Sequence, residues 1–336
     1  MSEDRFGFLC CHPYQRAILE PAFSLMAPAH PCLLTDDFEK LVEFSPRVVV
    51  QSEGSGTICA LRERLPSTYI VHTRHGLACK QVAHDAARHS DYTCQSSAWM
   101  AGWFARRGTR PRRRFWITGY PALDPLFRGA AEAGAAEARA PHILYAPTYN
   151  EHLSSIPMLG ERAIELLSQG DREAYITIKP HPHAAHTFGP WLRHIEAAAA
   201  QHPNVRLADP QGDIVADLLA ADVLVTDVSS VALAFLALDR PIVLLTNPDC
   251  RKDRDHFEPE GLEWQWRDMG DELLDASELP RALARALDAP HRHSAARTAY
   301  RDLLFGELTD GRASERLCME LTRAAGESTL ASGVWF

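Results

Sequence analysis

The chain has 336 residues, 46% of them hydrophobic and 24% charged, and no low-complexity tract; this excludes wholesale disorder and suits two domains of roughly 150 residues each. A formal charge of -9 at pH 7 excludes a broadly basic coat for nucleic acid, so no nucleic-acid partner is expected and any anion site has to be local. No run reaches the ~18 apolar residues that cross a bilayer, and eight scattered cysteines without a CxxC pair fit reduced thiols rather than disulfides or a zinc ribbon.

The N-terminal stretch MSEDRFGFLCCHPYQR carries acidic residues where a secretion signal needs positive ones, which predicts a cytoplasmic protein. Short β-branched and apolar runs then alternate with helical patterns, the rhythm of βαβ units on a parallel sheet. Strands are predicted at 6–10, 31–34, 47–51, 68–72, 92–95 and 115–118, making a first Rossmann-like domain over 1–128. Between the last two, a helix over 96–106 carries Trp99 with Trp103 and Met100 with Phe104, each pair four apart, so these side chains are expected in the core. Six arginines follow from Arg106 to Arg114; the plain reading is a solvated helix end, and the functional one is contact with anionic lipid or a polyanionic acceptor.

The small-residue stretch after Arg128, GAAEAGAAEARAP, predicts a connection between two cores. Strands recur at 142–146, 174–179, 205–207, 223–226 and 242–245, giving a second Rossmann-like domain over 141–336 whose last helix, 312–325, is expected to pack back across the domains. The predicted class is α/β, two facing Rossmann-like domains with parallel sheets. In such sheets ligands bind beyond the carboxyl ends of the strands, so chemistry is sought there.

Three post-strand segments stand out. In VLVTDVSSVALAFLALDRP (223–241) a buried strand ends at Thr226-Asp227, and Ser229-Ser230 opens an apolar helix with no acid to repel a phosphate. Asp227, Ser229 and Ser230 are therefore candidates for binding a phosphate or nucleotide, although taken alone Asp227 or a serine is more simply a helix cap. In ITIKPHPH (176–183) two prolines stiffen the exit of a strand that delivers Lys179 and His181, a cation and a donor suited to pyrophosphate. A metal site from His181, His183 and His186 lacks a carboxylate and the usual ligand spacing; His183 and His186 read as loop histidines.

In YIVHTRHGLACK (69–80) Arg74, His75 and Gly76 follow a strand of the first domain, where they are candidates for the acceptor side. Neutral imidazole at His75 can take a proton from an attacking hydroxyl, a role worth roughly 100- to 10,000-fold in rate, whereas His72 reads as structural. Two lesser turns, ITGYPALD (117–124) and ILYAPTYNE (143–151), the latter running into Thr148, are expected to border the same cleft.

Read in order, HTRHG, ITGYP, ILYAPT, the Lys-Pro-His-Pro run, TDVSSVALAFLALDRP and DGRASERL resemble the CDP-glycerol glycerophosphotransferase family of teichoic acid and capsule synthesis, over roughly residues 70–325. The resemblance implies a GT-B fold and transfer of an alditol phosphate from a CDP-activated donor to a hydroxyl on a polymer or lipid-linked acceptor, with CMP leaving and neither cofactor nor metal. It makes His75 the general base, His181 a phosphate ligand, Ser229-Ser230 the phosphate-holding helix start, and Thr148 the threonine after the Tyr-Ala-Pro turn. Departures are Ala122-Leu123 for Arg-Asn, Tyr149 for Trp, and Asp268-Met269-Gly270-Asp271 for Pro-Gly-Pro. The chain lacks the long amphipathic extension of many polymer-forming members, which implies a soluble acceptor or a partner that supplies the membrane contact; any membrane contact of its own is expected to be peripheral.

Three other functions fit the same fold: a nucleotide-sugar glycosyltransferase, a UDP-sugar 2-epimerase, and a non-catalytic binding member. Epimerases tend to carry Ser-Gly-Gly where this chain has Ser229-Ser230-Val231, and retention of His75 and His181 favours catalysis.

Overall fold

The computed structural model describes residues 4–74, 76–77, 79–132, 139–168, 174–253 and 256–327. Its first sheet contains β1 (Phe6–Leu9), β2 (Cys32–Thr35), β3 (Val48–Gln51), β4 (Tyr69–His72), β5 (Tyr92–Gln95) and β6 (Arg114–Ile117), in the order β2-β1-β3-β4-β5-β6. The second contains β7 (His142–Tyr145), β8 (Tyr175–Ile178), β9 (Val205–Leu207), β10 (Val223–Thr226), β11 (Ile242–Leu245) and β12 (Asp271–Leu273), in the order β12-β11-β10-β7-β8-β9. Every pairing is parallel.

The chain divides into two compact units. One comprises Met1–Gly76, Gln81–Asp124 and Leu304–Phe336; the other comprises Leu77–Lys80 and Pro125–Leu303. The C-terminal segment from Leu304 therefore groups with the first sheet.

Burial on both faces explains why the central strands read as unbroken apolar runs. In the first unit Phe8, Val48, Val50 and Val71 enter one core with Trp116, while Leu9, Val49 and Ile70 enter the other with Leu41, Ile58 and Leu61. In the second unit Ile143, Tyr145, Ile176, Ile178, Val225 and Val243 pack with Leu279 and Leu283 of the helix Leu279–Asp288. Met100, Trp103 and Phe104 are buried as expected, but Trp99 is only half-buried, with the Arg106 guanidinium 5.9 Å over its ring.

The last helix, Ala313–Gly326, adds Leu317, Leu321 and Ala324 to the first unit's core. Asp124 holds its start: the buried carboxylate accepts the N–H groups of Ala313 at 2.7 Å and Ser314 at 2.8 Å, two donors that lack partners within the first turn. Close by, Gly119 sits at φ +84°, where an added Cβ would lie 2.9 Å from that of Ala313. The GYPALD turn is thus a clasp for the C-terminal helix.

Strand β12 is the element that periodicity does not predict. Asp271-Glu272-Leu273 holds one apolar residue and lies at a sheet edge, so it shows neither a buried run nor alternation. Gly270 lets it lie there, because a Cβ at that position would collide with the carbonyl of Ile242. Among the six arginines, Arg113 and Arg114 pair with Glu327 at 3.3 and 2.9 Å, and Arg112 lies 3.7 Å from Asp91. Among the described residues, which include all eight cysteines, there is no disulfide, and no helix is long and apolar enough to cross a membrane.

Candidate functional site

The second sheet has its topological switch between β7 and β10, where successive connections leave in opposite directions, and ligands of such sheets bind beyond the carboxyl ends at that point. Register aligns Tyr145 with Val225 on one side and Ile178 on the other. The segments after β10, β7 and β8 therefore emerge side by side, and they carry Asp227-Ser229-Ser230, Thr148 and Lys179-His181.

Asp227 does not face outward as a phosphate ligand; it is fully buried and anchors the loop after β7. Its oxygens accept the Thr148 N–H at 3.0 and 3.1 Å, the Ser155 N–H at 2.9 Å and the Ser155 hydroxyl at 3.0 Å. Tyr145 in turn donates its hydroxyl to Ser155 Oγ at 2.9 Å. Burial pushes the Asp227 carboxyl up to about 6 despite these donors, which by themselves favour the ionised form. The same loop is tied by Ser154 Oγ to the Thr148 carbonyl at 2.9 Å and by Asn247 Nδ2 to the Ser154 carbonyl at 2.8 Å. Thr148 is thereby held in a fixed, buried position at the sheet edge.

Ser229 is the N-cap of the helix Ser230–Phe235, extended at φ -85°, ψ 145°, and its Oγ accepts the Val231 N–H at 3.3 Å. Of the two roles the sequence allows this serine, capping and phosphate binding, the cap is formed. Ser230 is half-buried at the first helical position, and the first turn has no acid.

Lys179 is also committed inside the unit. Its buried ammonium donates to the carbonyls of Asp209 and of Gly212, the latter at 2.7 Å, and burial lowers its pKa. It braces the loop after β9 in place of the open charge expected from sequence. His181 is half-buried, and its ring centroid lies 4.6 Å from that of Tyr149, joining the loops after β7 and β8. The His183 N–H donates to His181 Nδ1 at 3.2 Å, so the neutral ring carries its proton on Nε2, the form that can donate to a phosphate oxygen. Among the described residues no group of three His, Cys, Asp or Glu side chains is arranged to hold a metal.

On the first sheet, His75 lies outside the described residues. Arg74 before it has φ +65° and is buried; its guanidinium donates to Gln95 Oε1 at 3.0 Å and lies 4.9 Å over the Phe104 ring. Its side chain points into the first unit. Gly76 is half-buried, and His72 is buried at the end of β4, in line with a structural role.

Three residues that shape the site are hard to find from the sequence. Ser155 carried a weak signal as one of a hydroxyl pair after the ILYAPTYNE turn; Asn247 and Arg267 carried none, because they act through contacts with segments distant in sequence.

The family model for CDP-glycerol:poly(glycerophosphate) glycerophosphotransferase matches residues 44–323. Among solved structures, the wall teichoic acid polymerase TagF is similar over 96% of this chain and 88% of its own, with 14% identity and a TM-score of 0.69. A substituted form of TagF soaked with CDPG gives the same coverage and identity with a TM-score of 0.68. The UDP-GlcNAc 2-epimerase from Neisseria meningitidis, bound to UDP-GlcNAc, covers 95% of this chain and 99% of its own at 11% identity and a TM-score of 0.62. No curated protein matched in sequence. The structural likenesses identify the GT-B fold, and the family match, spanning most of the chain, makes this protein a transferase that belongs to the CDP-glycerol:poly(glycerophosphate) glycerophosphotransferase family.

Proposed function

We propose that the protein moves glycerol phosphate, or a closely related alditol phosphate, from a CDP-activated donor to a hydroxyl of a cell-surface polymer or its lipid-linked precursor. The observation that carries this reading is the meeting of Ser229-Ser230, Thr148 and His181 at the carboxyl ends of three adjacent strands beside the switch point. The unit containing β7–β12 is the donor side, and the unit containing β1–β6 the acceptor side. Work takes place at the cytoplasmic face of the membrane, with the chain held there peripherally.

In this reading the acceptor oxygen attacks the donor's β-phosphorus and its proton passes to His75. The bond from that phosphorus to the bridging oxygen breaks, and CMP leaves with the electron pair. His181 Nε2–H and the hydroxyl and N–H groups at Ser229-Ser230 take up the charge that grows on the pyrophosphate oxygens, which is where preorganised donors lower the barrier. Lys179 and Asp227 support these groups from within, through the Asp209–Gly212 and Thr148–Ser155 loops.

The test is to incubate the purified protein with CDP-glycerol, CDP-ribitol and a panel of UDP-sugars, following thermal stabilisation and release of CMP or UDP. Stabilisation by a CDP-alditol with CMP release supports the assignment; a response to UDP-sugars alone replaces it with a glycosyltransferase or epimerase. His75→Ala tests the base: a transfer rate near wild type with unchanged donor affinity removes His75 from that role.

A further inference from the structure

Arg267 lies in the turn just before β12, and its buried guanidinium joins the ends of three strands. Nη1 donates to the carbonyl of Asp227 after β10 at 2.9 Å, Nη2 to Thr246 Oγ1 after β11 at 2.6 Å, and Nε to Glu272 Oε1 in β12 at 3.0 Å. Thr246 Oγ1 itself donates to Glu272 Oε1 at 2.5 Å, which closes the network. Asp227 is therefore gripped twice: its carboxylate by Thr148 and Ser155, its carbonyl by Arg267. That carbonyl belongs to the peptide leading into Val228, Ser229 and Ser230, so its direction sets the direction of the turn that follows.

Resting on the donor reading above, we propose that Arg267 is a positioning residue for phosphoryl transfer, fixing the Asp227–Ser230 turn in the orientation that receives the donor's phosphates. The planar guanidinium suits the task because its N–H groups diverge in a rigid fork, whereas an ammonium is a single point of attachment. The residue touches neither donor nor acceptor. Its effect runs through the Asp227 carbonyl, so it should appear as weakened donor binding and not as a lost proton transfer.

The experiment compares initial rates of CMP release from CDP-glycerol by the full-length wild type and by Arg267→Met, Arg267→Lys and Glu272→Gln, with thermal melts on each. For Arg267→Met we expect KM for the donor to rise about tenfold while kcat changes less than about threefold, the pattern of lost ground-state positioning. Arg267→Lys should recover part of the loss, and Glu272→Gln should raise KM by only about two- to threefold. A fold-wide defect would instead lower kcat by reducing the fraction of active molecules at unchanged KM, and that outcome, or an unchanged KM in folded Arg267→Met, overturns the proposal. If Arg267→Met does not fold, the other two variants decide, and wild-type KM in both overturns it. A wild type that releases no CMP locates the failure in the donor reading; the variants are then compared by thermal stabilisation with UDP-sugars, where equal shifts for wild type and the Lys and Gln variants overturn the positioning role.

Discussion

The carboxylate of Asp227 receives the backbone N–H of Thr148 through both oxygens, at 3.0 and 3.1 Å, across 79 residues of sequence. The carboxylate is fully buried, and that burial sets a pH dependence. Burial lifts the folded-state pKa from 3.8 to about 6, so between those values the folded protein holds more protons than the unfolded chain. Stability attributable to Asp227 is then greatest below the lower value and falls as pH rises through the window, by on the order of 3 kcal/mol. Urea denaturation of wild type and Asp227→Asn from pH 4 to 7.5 checks this: the wild type should lose stability relative to the variant with rising pH, and parallel curves would contradict it.

His181 should matter to catalysis far more than to stability. It is half-buried and contributes a ring contact with Tyr149, so His181→Ala should alter folding stability by no more than about 0.5–1 kcal/mol. Loss of a donor aimed at developing phosphate charge should lower kcat/KM about 100-fold, with partial recovery in His181→Gln. CMP-release kinetics beside thermal melts separate the two effects; an activity within threefold of wild type would remove His181 from the donor site.

Asp124 predicts the reverse pattern. Asp124→Ala leaves the Ala313 and Ser314 N–H groups without their acceptor at the start of a helix that fills the first unit's core, which should cost about 1–2 kcal/mol. Donor KM should be unchanged in the folded variant, and a shifted KM with an unchanged melting temperature would argue against a purely structural clasp.

Two glycines give opposite expectations. Gly270→Ala drives a methyl group into the Ile242 carbonyl and should destabilise by about 1–3 kcal/mol, since backbone on both sides has little room to yield. Gly56, in the helix Ser55–Arg64, has nothing within 4 Å of an added Cβ, so Gly56→Ala should stabilise by up to about 1 kcal/mol through helix propensity. Equal melting temperatures for the pair would show that the close approach of β12 to β11 does not constrain Gly270.

The sequence by itself determined the α/β class and eleven of the strands, most plainly the central ones, because parallel strands buried on both faces must be short continuous apolar runs, as in Val48-Val49-Val50 and Ile242-Val243-Leu244-Leu245. It also marked the segments after β7, β8 and β10, where polar residues directly follow such runs. Only the tertiary structure decided what those polar groups do. Lys179 looks from the sequence like a cation waiting for a phosphate and Asp227 like a helix cap or a donor contact, yet their partners lie in loops up to 79 residues away, and no local pattern encodes such pairings. The edge strand Asp271–Leu273 was hidden for the related reason that an edge needs little apolar burial, and Arg267 because its role exists only once three strand ends lie side by side.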